Sequence, residues 1–156
     1  MIRSTKFLWI LLLLLPLSAV ADETGLYRAG VDAFNAGNDK KALTCFKQAL
    51  ARGNQSPGLY YNLGVTFYKT GRYDQAQDAF LHLVQDPAWR SLALYNLGLT
   101  AEAGGRIKAA IDYYSRAQKK AGDSRVASLA SMKLKALSSQ IKKEAAVPLS
   151  RSPKEL

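Results

Sequence analysis

The sequence predicts an all-α fold, a solenoid of antiparallel helix pairs, and three recurrences carry that prediction. Glycine returns at Gly30, Gly64 and Gly98, 34 residues apart each time, and a second set follows at Gly37, Gly71 and Gly105. Small residues keep the same register at Ala42, Ala76 and Ala110, and so do rings at Phe46, Phe80 and Tyr114. Tyr27, Tyr61 and Tyr95 form a third aligned set. A unit of this length, read as two amphipathic helices, cannot bury its apolar face alone and must stack on its neighbours. Such a solenoid presents a surface to other molecules and usually builds no active site.

Residues 1–21 stand outside the repeats. Arg3 and Lys6 give a positive start, Phe7 to Leu15 an unbroken apolar stretch, and Ala19-Val20-Ala21 a small-x-small site before Asp22. That order predicts a secretory signal peptide cleaved after Ala21, since the apolar run is short for a membrane span. The alternative is an uncleaved segment that anchors the chain to the inner membrane.

Helix pairs are then expected at about 23–36 and 39–52, 57–70 and 73–85, and 87–103 and 106–121, giving repeats of about 23–56, 57–90 and 91–124. Ser56-Pro57 and Asp86-Pro87 each place a capping side chain before a proline at the first helical position. Gly37, Gly71 and Gly105 fall at the turn inside each pair, where a left-handed residue ends a helix; Gly53 and Gly122 stand between units. Gly30, Gly64 and Gly98 lie inside first helices, where glycine costs about 1 kcal/mol relative to alanine. Set opposite Ala42, Ala76 and Ala110, they let two backbones approach closely. A last helix over 124–145, starting at Asp123 or Ser124, carries Val126, Ala130, Leu134, Leu137 and Ile141 on one stripe and Lys133, Lys135, Lys142 and Lys143 on the other face. A solenoid end needs such a polar-backed cap. Pro148 and Pro153 in polar surroundings predict a disordered tail over 146–156.

Net charge is +10, and its distribution is uneven. Residues 22–103 hold 8 Lys and Arg against 8 Asp and Glu, whereas residues 104–156 hold 12 against 4. Export directs the search away from nucleic acid, so an anionic membrane surface, an acidic polymer or an acidic protein fits the basic third better. A solvated basic face is the structural alternative. One cysteine, Cys45, excludes an internal disulfide framework and reads as a small buried apolar residue. The single histidine, His82, follows Asp78 by one helical turn, but no nucleophile motif accompanies the pair. One His and one Cys do not make a standard zinc site, and the glycines do not form a phosphate loop. No catalytic, metal or cofactor site is expected.

In register, Tyr60-Tyr61-Asn62-Leu63-Gly64, Phe67-Tyr68-Lys69 and Gly71-Arg72-Tyr73-Asp74-Gln75-Ala76 resemble the tetratricopeptide repeat, and Tyr95-Asn96-Leu97-Gly98 repeats the pattern. The resemblance covers about residues 23–124 as three units with a capping helix. Leu26, Tyr60 and Leu94 stand where tryptophan is frequent in the family, and the first unit is the most divergent, with Ala29 and Ala33 where bulkier residues are common. The resemblance implies a right-handed superhelix whose first helices line a concave groove. In this register the groove positions are Tyr27, Arg28, Val31, Phe34 and Asn35, then Tyr61, Asn62, Val65, Tyr68 and Lys69, then Tyr95, Asn96, Leu99 and Glu102. Asn62 or Asn96 can pair with the backbone of an extended peptide while aromatic faces take its side chains. The tyrosines serve equally well as packing between repeats. Of the groups with which some family members hold a chaperone carboxylate, only Asn62 is matched; Tyr27, Val31, Leu92 and Asn96 occupy the other positions.

The function expected is therefore a non-enzymatic adaptor, exported to the periplasm, that binds a protein or peptide in its groove. The alternative is a peripheral envelope protein that holds anionic lipid or polymer on the basic face of Lys133, Lys135, Lys142 and Lys143.

Overall fold

The second set of glycines decides where the chain reverses. At Gly71 the backbone takes φ +72°, its N–H donates to the Tyr68 carbonyl at 3.0 Å, and the Arg72 N–H donates to the Phe67 carbonyl at 2.9 Å. That pair of bonds closes the last turn of a helix on carbonyls that otherwise lack a partner, and it needs a left-handed residue that glycine adopts without strain. Gly37 and Gly105 repeat the geometry at φ +74°. The computed structural model describes residues 16–120 and 124–146. These residues form α1 (Pro16–Asn35), α2 (Asp39–Ala51), α3 (Pro57–Lys69), α4 (Tyr73–Leu81), α5 (Arg90–Ala103), α6 (Ile107–Lys120) and α7 (Ser124–Ala146), with no strand among them. The helices fall into two compact units that divide between Leu83 and Val84. None of the described helices is long and apolar enough to cross a membrane.

In the first unit, α1 pairs with α2 and α3 with α4. The Asn38 side chain caps α2 by accepting the Lys41 N–H at 3.0 Å, and Ser56 caps α3 through the Leu59 N–H at 3.4 Å, with Pro57 behind it. Helix α1 covers Pro16–Asn35, so the described helix includes residues ahead of the expected start near residue 23. The first 15 residues of the expected signal lie outside the described residues. The core of this unit is Phe46, Leu59, Phe80 and Leu83, with Ala42, Ala49 and Ala76 fully buried among them. Cys45 is buried at the edge of this core, as expected of a small apolar residue.

The first set of glycines meets a different group from the one expected. A Cβ at Gly64 would lie 2.5 Å from the Phe80 ring, and one at Gly30 2.5 Å from the Phe46 ring; Gly98 stands in the same way against Tyr114. The ring one turn beyond each alanine, rather than the alanine itself, presses on the glycine. The alanines still matter, being fully buried in the same contact layer.

Two boundaries differ from expectation. Helix α4 ends at Leu81 instead of near 85, and regular helix resumes only at Arg90 instead of 87. Asp86 does cap a turn, since its Oδ1 accepts the Ala88 N–H at 2.9 Å and its carbonyl accepts the Arg90 N–H at 2.8 Å. Regular helix starts after Trp89, which stands as the N-cap of α5 at φ −103°, ψ −16° without a side-chain cap bond. Arg90 then reaches back, its Nε donating to the Val84 carbonyl at 2.8 Å and its Nη2 to that of Gln85 at 3.1 Å. Carbonyls freed by the early end of α4 thus gain a partner.

In the second unit, α5, α6 and α7 pack around Leu94, Leu97, Ala110, Tyr114, Ala117 and Ala130. On the stripe expected for the last helix, Val126, Ala130 and Leu137 are buried and Leu134 is half-buried, but Ile141 is 43% exposed. The stripe outlasts the helix it packs on. The expected cap at Asp123, the turn at Gly122 and most of the 146–156 tail lie outside the described residues.

Gly64→Ala tests the glycine–ring contact. Overpacking a core costs about 1–3 kcal/mol, against about 1 kcal/mol gained in helix propensity, so net destabilisation is expected in urea unfolding. Adding Phe80→Leu should recover part of the loss, and independent, additive losses would show that the ring is not the obstacle.

Candidate functional site

The residues assigned to the groove fall on both units, and each unit solves its polar contacts differently. In the first, α1 and α3 lie side by side. The Tyr27 ring packs 6.0 Å from that of Phe46, and its hydroxyl accepts the Asn62 Nδ2–H at 3.0 Å. Gly58 makes room for that hydroxyl, since a Cβ there would stand 2.9 Å from it. Asn62 keeps its second N–H and its carbonyl oxygen for other partners. One face further along, the Lys69 ammonium lies 4.5 Å from the centre of the Phe34 ring and 2.8 Å from Asp39 Oδ1. This cation–π and ion-pair bridge ties the end of α3 to the first hairpin. Arg28 and Asn35 are exposed, and Val31 and Val65 are half-buried on the same helices.

Tyr61 and Tyr68 do other work. Tyr61 meets Phe80 edge-on at 6.2 Å, and Tyr68 tilts against Tyr73 at 5.9 Å, so both rings are engaged with α4. Thr66, fully buried, donates its hydroxyl to the Asn62 carbonyl at 2.6 Å and so needs no other partner.

In the second unit, Tyr95 packs 5.7 Å from Tyr114, so all three tyrosines of the ladder pack on the ring of their own second helix. Asn96 turns back on its own helix, Nδ2 donating to the Leu92 carbonyl at 2.9 Å, while Leu99 is half-buried. Glu102 gathers the polar contacts here. Its Oε2 accepts the Tyr114 hydroxyl at 2.6 Å, and both carboxylate oxygens accept from Lys133 Nζ, at 3.1 and 3.0 Å. Lys133 therefore does not belong with the open basic face of α7; it is turned inward against α5. Lys135, Lys142 and Lys143 are exposed.

Periodicity marked the tyrosines and asparagines but not Asp39, which pairs across repeats, nor Gly58, whose role appears only once Tyr27 is seated. His82 stacks on Tyr60 at 4.2 Å and 15° instead of pairing with Asp78. Among the described residues no three His, Cys, Asp or Glu side chains converge as a metal site.

The paired helices agree with comparisons to known proteins. Residues 61–125 match the family described as tetratricopeptide repeat, and residues 33–76 one described as TPR repeat. The chain belongs to the tetratricopeptide repeat family. This TPR protein is 31% identical over 80 residues to anaphase-promoting complex subunit 3 of Schizosaccharomyces pombe, covering 51% of this chain and 12% of that one. It is 34% identical over 68 residues to photosystem I assembly protein Ycf3 of Cuscuta gronovii, covering 42% of this chain and 40% of that one. The chain thus spans well under two thirds of either relative. Among solved structures it resembles the TPR2AB domain of yeast Sti1 in complex with pHSP90, with TM-score 0.66 and 18% identity over 80% of this chain and 49% of that one. At that identity the likeness speaks for the fold alone.

The Glu102–Lys133 pair can be isolated by a double-mutant cycle with Glu102→Gln and Lys133→Met. Both side chains are about one-third exposed, so a coupling of about 0.5–1 kcal/mol is expected, with faster amide exchange in α7 for each single variant. Coupling near zero would leave the pair without a role in seating α7.

Proposed function

We propose that this protein is a non-enzymatic adaptor of the bacterial cell envelope, exported to the periplasm, that binds a protein or peptide on the face shared by its first helices. The observation that carries the binding surface is the α1/α3 face, where the Tyr27–Asn62 bond holds an amide in place and leaves its second N–H and its carbonyl oxygen open. Half-exposed Val31 and Val65 supply apolar contact beside it. A fixed amide next to apolar side chains suits an extended backbone segment, whose N–H and C=O groups need partners at regular spacing. Ycf3 is named as an assembly protein and the Sti1 domain was captured with pHSP90, and both support a macromolecular partner here. The export signal read at residues 1–21 supports the envelope location.

Photo-crosslinking in cells, with a photoreactive residue at Val65 and a matching probe at exposed Gln48 on α2, tests the surface. A discrete protein adduct from position 65 alone is expected, and its mass spectrum names the partner. Equal adducts from both positions, or none from 65, would remove the α1/α3 face as the binding surface. Fractionation of the tagged chain tests the location separately.

A further inference from the structure

The second unit carries a cleft that the α1/α3 binding surface does not use. It has a volume of about 370 Å³ and is lined by Val84, Gln85, Arg90, Leu94, Arg116 and Lys119. We propose that this cleft, between the start of α5 and the second half of α6, binds an oxyanion, the carboxylate or phosphate group of an anionic partner.

The state of Arg90 carries the proposal furthest. Arg90 is half-buried, and its guanidinium is held by the carbonyls of Val84 and Gln85, at 2.8 and 3.1 Å, without an ion pair to any carboxylate of the described residues. Carbonyls orient a guanidinium and satisfy its donors, but they leave its full positive charge in place. A charge withdrawn from water without a counter-charge is costly unless a partner supplies one. Two of the five N–H donors are used, so the others stay available in a fixed plane. That is the pre-organised fork which carboxylates and phosphates match. The nearest acid in sequence, Asp86, spends its Oδ1 on the Ala88 N–H.

Two further cations share the cleft. Arg116 is tied to Asp112 only at 3.3 Å, with both side chains about half exposed or more, a pair that neutralises little. Its guanidinium lies 5.7 Å from the Tyr113 ring. Lys119 is exposed and makes no ion pair with a described carboxylate. Leu94, 1% exposed, forms the apolar floor. Low-dielectric walls concentrate the field of the three cations inside the cleft. Its volume is at the lower end for ligand sites, about the size for one acidic group and its attachment.

Titration of the full chain with inorganic phosphate and, separately, with hexaglutamate at constant ionic strength tests the site, followed by backbone and arginine side-chain NMR. Saturable shifts confined to residues 84–94 and 112–119 are expected. They should weaken about tenfold in an Arg116→Gln/Lys119→Gln variant, whose altered side chains are exposed and leave the core untouched. Arg90→Lys, which keeps the charge and loses the fork, should weaken binding too. Neutralising Lys135, Lys142 and Lys143 together removes more charge and should leave binding unchanged. Saturation by phosphate alone assigns a phosphate-bearing partner, by hexaglutamate alone an acidic protein segment, and by both the shared oxyanion chemistry. Failure of both probes to saturate by about 10 mM, or equal weakening by the α7 neutralisation, overturns the proposal.

Discussion

Each helix pair is drawn together by a glycine of the first helix lying beneath an aromatic ring of the second, Gly30 under Phe46, Gly64 under Phe80 and Gly98 under Tyr114. The contact is so close that no side chain fits between, and the rings of Phe80 and Tyr114 are almost wholly buried by it. Much else follows from this approach. It brings Ala42, Ala76 and Ala110 into the same buried layer, and it sets each ring within reach of Tyr27, Tyr61 or Tyr95. The tyrosines that looked like a ligand ladder are therefore first of all the outer layer of the hairpin core. Tyr27 adds a second contact on the α1/α3 face, through its hydroxyl and Asn62.

Polar side chains on equivalent positions take unlike roles because their neighbours differ. Asn62 and Asn96 are one repeat apart, yet the first reaches across to Tyr27 and the second returns to the Leu92 carbonyl of its own helix. Lys69 bridges Phe34 and Asp39, whereas in the second unit a carboxylate, Glu102, collects a tyrosine hydroxyl and a lysine. Buried Thr66 and Thr100 each spend their hydroxyl on the carbonyl one turn back, so neither leaves an unmet group in the core. The result is a fold with repeated apolar contacts and individual polar ones. The individual polar contacts differ from repeat to repeat without disturbing the packing.

Charge behaves in the same way. The surplus of Lys and Arg after residue 103 reads in one dimension as a single basic face, but folding distributes it. Lys133 turns inward to Glu102, Lys135, Lys142 and Lys143 stay in water, and Arg116 and Lys119 meet Arg90 beside Leu94. Arg90 lies in the stretch that is neutral by composition, so counting charges along the chain passes over the residue most relevant to the cleft. Its placement depends on the early end of α4 at Leu81, which leaves the Val84 and Gln85 carbonyls for it to bind.

By itself the sequence determined the helical class, the helix pairs, the reversals at Gly37, Gly71 and Gly105, the cap at Ser56-Pro57 and the family. These rest on local backbone preference and on a period that any stacked repeat must keep, so they can be read without knowing what touches what. The interruption at 82–89, the ring over each glycine, the Lys69 bridge, the inward turn of Lys133 and the cleft at Arg90 were decided only by the tertiary structure. Each joins residues on different helices or frees a backbone group for a distant side chain. Such pairings depend on relative positions in space, which the 34-residue recurrence constrains for the apolar layer and leaves open for everything polar around it.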